Sequence, residues 1–373
     1  MTIARRRFSS NPFELGLFSH NVQNGMAQLK VQLWDATWDQ TVEMARAADE
    51  AGLEFILPLG RWHSHREPEN EPPEHGGSFE SLTWAAGILA ETRKIAVFGT
   101  LHVAYINPVF ASKVIVTAHH IGHGRFGLNI VSGTQARDFA MFGLVPNDHD
   151  RQYDYTEEWL TIAKRLWTED EPFDHDGDFF HLRRAISKPK PYNRELPFII
   201  SAGHSAKGRA FALRHAHALF TSISELETAP DELRMARAEV ADGATIPIYG
   251  SSHLVARATR KEADEWYHHL VYELGDWTGV RESLEERGAR RTRPYASLDR
   301  LAERVISGVG TFLVKGSYDD AAATYKALYD AGFNGMAVGM IDYAEQFLTF
   351  RDEILPRLER LGLRQPVRST VPL

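Results

Sequence analysis

Eight times along this chain a short run of β-branched and apolar residues precedes a longer stretch whose apolar residues recur every three or four positions. The short runs read as strands at Glu14–Phe18, Phe55–Leu59, Lys94–Val103, Arg125–Val131, Phe198–Ala202, Ala218–Ile223, Thr245–Tyr249 and Gly335–Met340. None alternates apolar with polar residues, as a sheet wet on one face would; unbroken apolar strands belong to parallel sheets covered on both faces. The intervening stretches read as helices. Thr37 to Ala51 carries Val42, Ala45, Ala48 and Ala51 on one stripe with Gly52 as terminator. Phe79–Glu91, a helix begun by Pro108, Tyr155–Trp167 and a long helix through Leu358 follow the same pattern. Eight such units predict an α/β chain folded as a (β/α)8 TIM barrel rather than an open doubly wound sheet.

The 373 residues exceed the ~250 of a typical barrel, and the surplus falls in insertions near 61–77, 169–196 and 276–310. No low-complexity linker divides the chain, so 1–373 reads as one domain with loose tails at 1–12 and 363–373. With 42 basic against 50 acidic side chains the net charge is −8, which gives no general attraction for nucleic acid or an anionic membrane. The absence of cysteine removes disulfides, thiolate metal sites and a cysteine nucleophile. Arg5-Arg6-Arg7 resembles a twin-arginine run, but Asn11-Pro12 and Glu14 interrupt the apolar segment that a secretory signal needs. A cytoplasmic enzyme is the expectation.

Chemistry in such barrels gathers at the carboxyl ends of the strands. There stand Ser19-His20-Asn21, Leu59-Gly60-Arg61-Trp62-His63, Thr100-Leu101-His102, Asn129 to Gln135 and Ser201-Ala-Gly-His-Ser205. Ser205 opens a helix, where free backbone N–H groups suit a phosphate, although a plain N-cap gives the same pattern. His20 and His102 fit either a substrate-side role or buried packing. His63-Ser-His65 with Glu67 and His75 admits a metal site or acid–base work, within a loop rich in proline and glutamate. His119-His120-Ile-Gly-His123 falls at a helix C-terminus, where imidazole favours the dipole. Arg61, Arg183 and Arg184 are candidate anion contacts or solvent-facing charges, and the charged stretch Arg281–Arg293 is a solvated insertion or a lid.

Gly124-Arg-Phe-Gly-Leu-Asn-Ile-Val-Ser-Gly133, Arg151-Gln-Tyr-Asp-Tyr-Thr-Glu-Glu158, Asp176-Gly-Asp-Phe-Phe180, Lys188-Pro-Lys-Pro191 and Ser201-Ala-Gly-His-Ser205 follow one another in a familiar order and spacing. In these segments the chain resembles the bacterial luciferase-like flavin monooxygenases, over about Glu14 to Leu358. It is most similar to the branch of pyrimidine oxygenase, dimethylsulfone monooxygenase and alkanesulfonate monooxygenase. The resemblance implies a barrel that receives reduced FMN (FMNH2) from a separate NAD(P)H:flavin reductase and activates O2 as a flavin peroxide. The product would be an oxygenated or cleaved small polar molecule such as a heterocycle, sulfone or sulfonate. Members need no metal, and a homodimer or homotetramer is expected.

Carried over position by position, the resemblance puts Leu59 and Gly60 against the isoalloxazine and Asn129 on the flavin ring. Asp138 stands where pyrimidine oxygenases have glutamate. Gln152 and Tyr153 fall on an Arg-Tyr pair, with Tyr153 toward the ribityl phosphate, and Ser205 matches a phosphate-contacting serine. Gln152 removes a charge that Arg151 could replace. Thr100 and Asn129 match a pair that lines an O2 pocket and would donate hydrogen bonds to it; His102 and His20 are the substrate-side candidates. Leu57, Leu59, Phe98 and Leu128 are available as apolar walls, and plain core packing accounts for them equally well. A deazaflavin (F420)-dependent oxidoreductase and a non-catalytic flavin-binding barrel are the alternatives.

Overall fold

The computed structural model describes residues 8–63, 76–133, 136–146, 148–203, 205–221, 223, 225–238, 246–286 and 298–367. Eight parallel strands close into a barrel in the order β1 (Glu14–Phe18), β2 (Phe55–Leu57), β3 (Ala96–His102), β4 (Phe126–Val131), β7 (Phe198–Ser201), β8 (Ala218–Thr221), β9 (Ile248–Arg257) and β11 (Gly335–Gly339). Pairing of β11 with β1 completes the circle. Between β4 and β7 the insertion near 169–196 forms an antiparallel hairpin of β5 (Phe173–Asp176) and β6 (His181–Ala185).

The helices begin where the side chains can cap them. Thr37 and Gln40 form a capping box at α1 (Trp38–Glu50), Glu80 caps α2 (Ser81–Glu91), and Asn107 caps α3 (Pro108–Ile121). After the short α4 (Ala136–Met141), α5 runs over His149–Thr168, starting six residues before the sequence-predicted Tyr155 because Asp148 accepts the Arg151 N–H. Ser205 caps α6 (Ala206–His215) by accepting from Gly208 N at 3.0 Å.

Two features depart from the sequence reading. The seventh barrel strand extends to Arg257 instead of ending at Tyr249, and its outer half pairs with a ninth strand, β10 (Phe312–Ser317), from Phe312↔Ser252 to Ser317↔Arg257. Gly250-Ser-Ser-His253 looks too polar for a strand, yet all four residues are buried, since β10 covers the continuation. The expected long final helix is broken at Phe350–Ile354 by a π-helical turn. Pro356 follows directly, and its missing N–H cannot continue the ladder.

Alternate residues of each strand face opposite layers. Phe18, Phe55, Leu57, Phe98, Phe198, Ile200, Phe220 and Tyr249 fill the barrel interior, while Leu15, Leu17, Ile56, Val97 and Leu128 pack beneath the helices. Leu128 therefore lies in the outer layer, the core-packing alternative, and cannot wall an interior chamber. Below the interior layer Phe8 contacts the rings of Phe198 (4.6 Å), Phe55 (5.3 Å), Phe98 (5.7 Å) and Tyr249 (5.8 Å), stoppering the N-terminal end. The tails are docked over residues 8–12 and 363–367. Ser9 N donates to Glu14 at 2.6 Å, Asn11 Nδ2 donates to Glu54 at 2.5 Å, and Phe13 N bonds Leu363 O at 3.0 Å. Gln365 N bonds Asn11 Oδ1 at 2.9 Å, and Arg364 Nη2 bonds Gly52 O at 2.8 Å.

Candidate active site

At the opposite end of the barrel the inward register changes character within a few residues. Phe98, Thr100 and His102 follow one another on the inner face of β3, and Asn129 lies directly across from Thr100 in the β3–β4 register. Thr100 Oγ1 donates its one proton to Pro58 O at 2.6 Å and accepts from Asn129 Nδ2 at 3.2 Å. That hydroxyl has no proton left for a second acceptor. The expectation that both side chains donate to oxygen is thereby corrected: Thr100 orients Asn129, and the second Asn129 N–H is the group that remains to donate. Asn129 Oδ1 is buried with no hydrogen-bond partner.

Asn21, fully buried, clamps the end of β2 with both ends of its amide. Its Nδ2 donates to Leu59 O at 2.9 Å, and its Oδ1 accepts from Leu59 N at 2.8 Å. Asn21 stood among the strand-end residues in the sequence without a role of its own, its only signal being its place three residues after a strand. Beside Leu59, Gly60 supports the ring of His102; a Cβ there would stand 2.9 Å from His102 Cε1. Trp62 Nε1 donates to His102 Nδ1 at 3.0 Å. Burial pushes His102 down to about 4, against a smaller opposing pull from Asp138, so the ring is neutral.

A cavity of about 350 Å³ opens at the ends of β4 and β7, lined in part by Ser132, Gly133, Gln152, Tyr153, Ser201 and Ala202; Leu59, Gly60, Thr100, His102, Asn129 and Ser205 are not among its lining residues. Gln152 Nε2 donates to Ser132 O at 2.6 Å, leaving Gln152 Oε1 buried and unpartnered. The Tyr153 hydroxyl lies against Gly208 in the first turn of α6, the turn that Ser205 caps, so close that a Cβ on Gly208 would collide with it. Arg151 is not among the lining residues; its guanidinium lies 5.2 Å from the Phe179 ring centre.

Other candidates sit elsewhere. His20 is fully buried between Trp84 (5.0 Å) and Tyr343 (5.9 Å), the packing alternative, and burial lowers it to about 3. Asp138 is also outside the cavity lining and pairs with His63 at 3.0 Å. His65, Glu67, His75 and His204 lie outside the described residues. His119 accepts from Tyr192 N at 3.0 Å and His120 meets Lys190 O at 2.8 Å, both tying α3 to the insertion. Arg183 is exposed on the hairpin and pairs with Asp176 at 2.7 Å. Two of the sequence motifs form one joint: Glu158 of α5 accepts from Phe180 N at 2.9 Å and from Phe179 N at 3.1 Å. Arg281 pairs with Asp299 at 2.9 Å, while 287–297 lie outside the described residues.

A parallel barrel with polar groups gathered at its carboxyl end is the architecture of a small-molecule enzyme. The family model for luciferase-like monooxygenases matches residues 13–335, and the chain belongs to that family. It is 28% identical over 260 residues to the FMNH2-dependent dimethylsulfone monooxygenase of Pseudomonas putida, covering 68% of each chain. It is 30% identical over 332 residues to the pyrimidine monooxygenase RutA of Methylobacterium radiotolerans, covering 86% of this chain and 82% of that one. Among solved structures, the long-chain alkane monooxygenase LadA superposes with a TM-score of 0.80 at 17% identity, covering 96% of this chain and 93% of that one, a likeness of fold. Among the described residues no helix is long and apolar enough to cross a membrane.

Proposed function

We propose that this protein is the oxygenase component of a two-component system. It would take reduced FMN from a separate NAD(P)H:flavin reductase and use O2 to oxygenate or cleave a small polar molecule. The observation that carries this reading is the 350 Å³ cavity lined by Gln152, whose buried Oε1 has no donor; Asn129, whose buried Oδ1 is likewise unmatched, stands one residue before the lining residue Ile130. Its size falls within the ~300–1,000 Å³ of small-molecule sites. Unmatched buried acceptors cost free energy until a ligand supplies donors, and a flavin carries ring N–H and ribityl hydroxyl groups that would do so. The residues present therefore fit the cofactor. Its tail would sit near Tyr153, Ser205 and the first-turn N–H groups of α6, which have no intrahelical partners.

Bound reduced FMN would supply the electrons that activate O2. The remaining work belongs to the chain. Asn129 offers its spare N–H where negative charge develops on oxygen. Thr100 and Pro58 fix the Asn129 amide, and Asn21 fixes the Leu59–Gly60 backbone against which the ring would lie. Leu57 and Phe98 beneath keep water out. Exposed Val109, Phe110 and Ile121 on α3 support the expected homodimer or homotetramer.

The test is an anaerobic titration with reduced FMN and with reduced F420, followed by O2 and a product screen over pyrimidines, sulfones and sulfonates under 18O2. Tight binding of reduced FMN and an 18O-labelled product are expected. Selective binding of F420, or O2 uptake no greater than the flavin blank with every compound, would overturn the reading.

A further inference from the structure

Around His102 the mouth carries a cluster of rings that the proposed cofactor site does not use. Tyr105 and Phe142 stack at 4.3 Å with their planes 4° apart, and Trp62 meets Phe142 edge-on at 4.8 Å. His102 lies 5.6 Å from Tyr105, and Tyr105 lies 5.3 Å from Phe139, which lines the cavity.

The hydrogen bond from Trp62 to His102 decides what the imidazole can do. An indole nitrogen only donates, so His102 Nδ1 must present its lone pair. In a neutral ring the single proton then resides on Nε2, and no described residue hydrogen-bonds that atom. We infer that His102 is a fixed neutral hydrogen-bond donor to substrate through Nε2–H, with Trp62 as the positioning residue that sets its tautomer. Such a donor takes a carbonyl, sulfonyl or ring-nitrogen acceptor and requires no negative charge on it, so a neutral molecule suffices as substrate. Neither ring nitrogen is then available as a general base, because one lone pair is engaged and the other nitrogen is protonated. The depressed basicity of the ring argues equally against a general acid. Asp138, the nearest acid acting on the ring, is held by His63. The neighbouring rings of Trp62, Tyr105, Phe139 and Phe142 provide a wall for the apolar part of the substrate, and none of these four carries a charge. The substrate half of this inference rests on the oxygenase reading; the tautomer half does not.

The two halves have separate tests. Protein labelled with 15N-histidine is studied without flavin at pH 7.5, and the His102 signals are identified by their loss in His102→Gln. Wild type is expected to show a protonated Nε2 and a bare Nδ1, and Trp62→Phe a mixture of tautomers. A wild-type proton on Nδ1, or an unchanged pattern in Trp62→Phe, overturns the assignment whatever the protein catalyses. For the substrate half, uracil, dimethyl sulfone and ethanesulfonate are offered with reduced FMN and O2. Turnover of a neutral compound is expected, with KM raised about tenfold in His102→Leu and restored to within about threefold in His102→Gln. Turnover of ethanesulfonate alone, or equal KM in the Leu variant and wild type, overturns it. Absence of all turnover overturns the substrate half together with the oxygenase reading, and leaves the tautomer to the NMR result.

Discussion

The two ends of the barrel are built on the same strands and are chemically opposite. At the N-terminal end Phe8 is ringed by Phe55, Phe98, Phe198 and Tyr249, and the carboxylates there are tied down: Glu54 accepts from Leu15 N at 2.8 Å, and Glu14 accepts from Ser9 and the Tyr249 hydroxyl. One inward step along β3, roughly 7 Å, replaces Phe98 by Thr100, and a second brings His102. At this end Asn129 and Gln152 keep buried acceptors without donors. The difference separates what holds the barrel shut from what the barrel leaves open: a sealed aromatic end fills its space, whereas the polar end offers acceptors to a ligand.

Substitutions at the two ends should fail in different ways. The largest effect is expected from Asn129→Ala, which removes the spare N–H: coupled oxygenation should fall by about 10²-fold while the urea midpoint hardly moves. Wild-type turnover would remove Asn129 from the oxygen site. Phe8→Ala should do the reverse, costing ~3 kcal/mol of stability with kcat preserved at a temperature where the variant stays folded. An unchanged midpoint would mean that the stopper contributes nothing.

Gly208→Ala sharpens the comparison because local propensity and tertiary contact disagree. Alanine improves an isolated helix by about 1 kcal/mol, but here its Cβ displaces the Tyr153 hydroxyl. A roughly tenfold weaker Kd for FMN is expected at the level of one lost hydrogen bond, measured by fluorescence quenching. Unchanged affinity would detach Tyr153 from the cofactor.

The smallest effect belongs to His20, held neutral with a pKa of about 3 against about 6.5 unfolded, and joined by His253 at about 3 and His102 at about 4. These depressed values mean that the unfolded chain binds protons first, so their contribution to stability is complete above pH 6.5 and is lost as pH falls toward 3. His20→Phe should make that acid decline shallower and leave the melting temperature at pH 7 unchanged or higher, since burial outweighs hydrogen bonding in the surroundings of the ring. Loss of oxygenation in a folded variant would return His20 to the site.

The barrel was legible because each of its eight strands carries its own apolar run, and Gly52, Asn107-Pro108 and Ser205 mark helix ends by local chemistry. The ninth strand was not. Phe312 to Ser317 holds Lys315 and Gly316, and it becomes a strand only because β9 overruns the barrel and offers an edge. The same limit applies at the mouth. Thr100 and Asn129 stood out from sequence, but that Thr100 would spend its proton on Pro58 depends on how β2 ends against β3. Trp62, Tyr105 and Phe142 are far apart in the chain, and only the packing of three loops makes them neighbours. Inward or outward facing was also invisible within continuous apolar runs, which is why wall and plain core packing stood open alike for Leu128.

The strap that joins Asn11 to Gln365 also has a use in engineering. It holds residues 11 and 365 side by side at the stoppered base of the barrel, so an attachment at residue 8 or 367 would begin at the end away from the entrance. A short linker could equally join the two and move the opening of the chain to a surface loop without crossing the substrate's path.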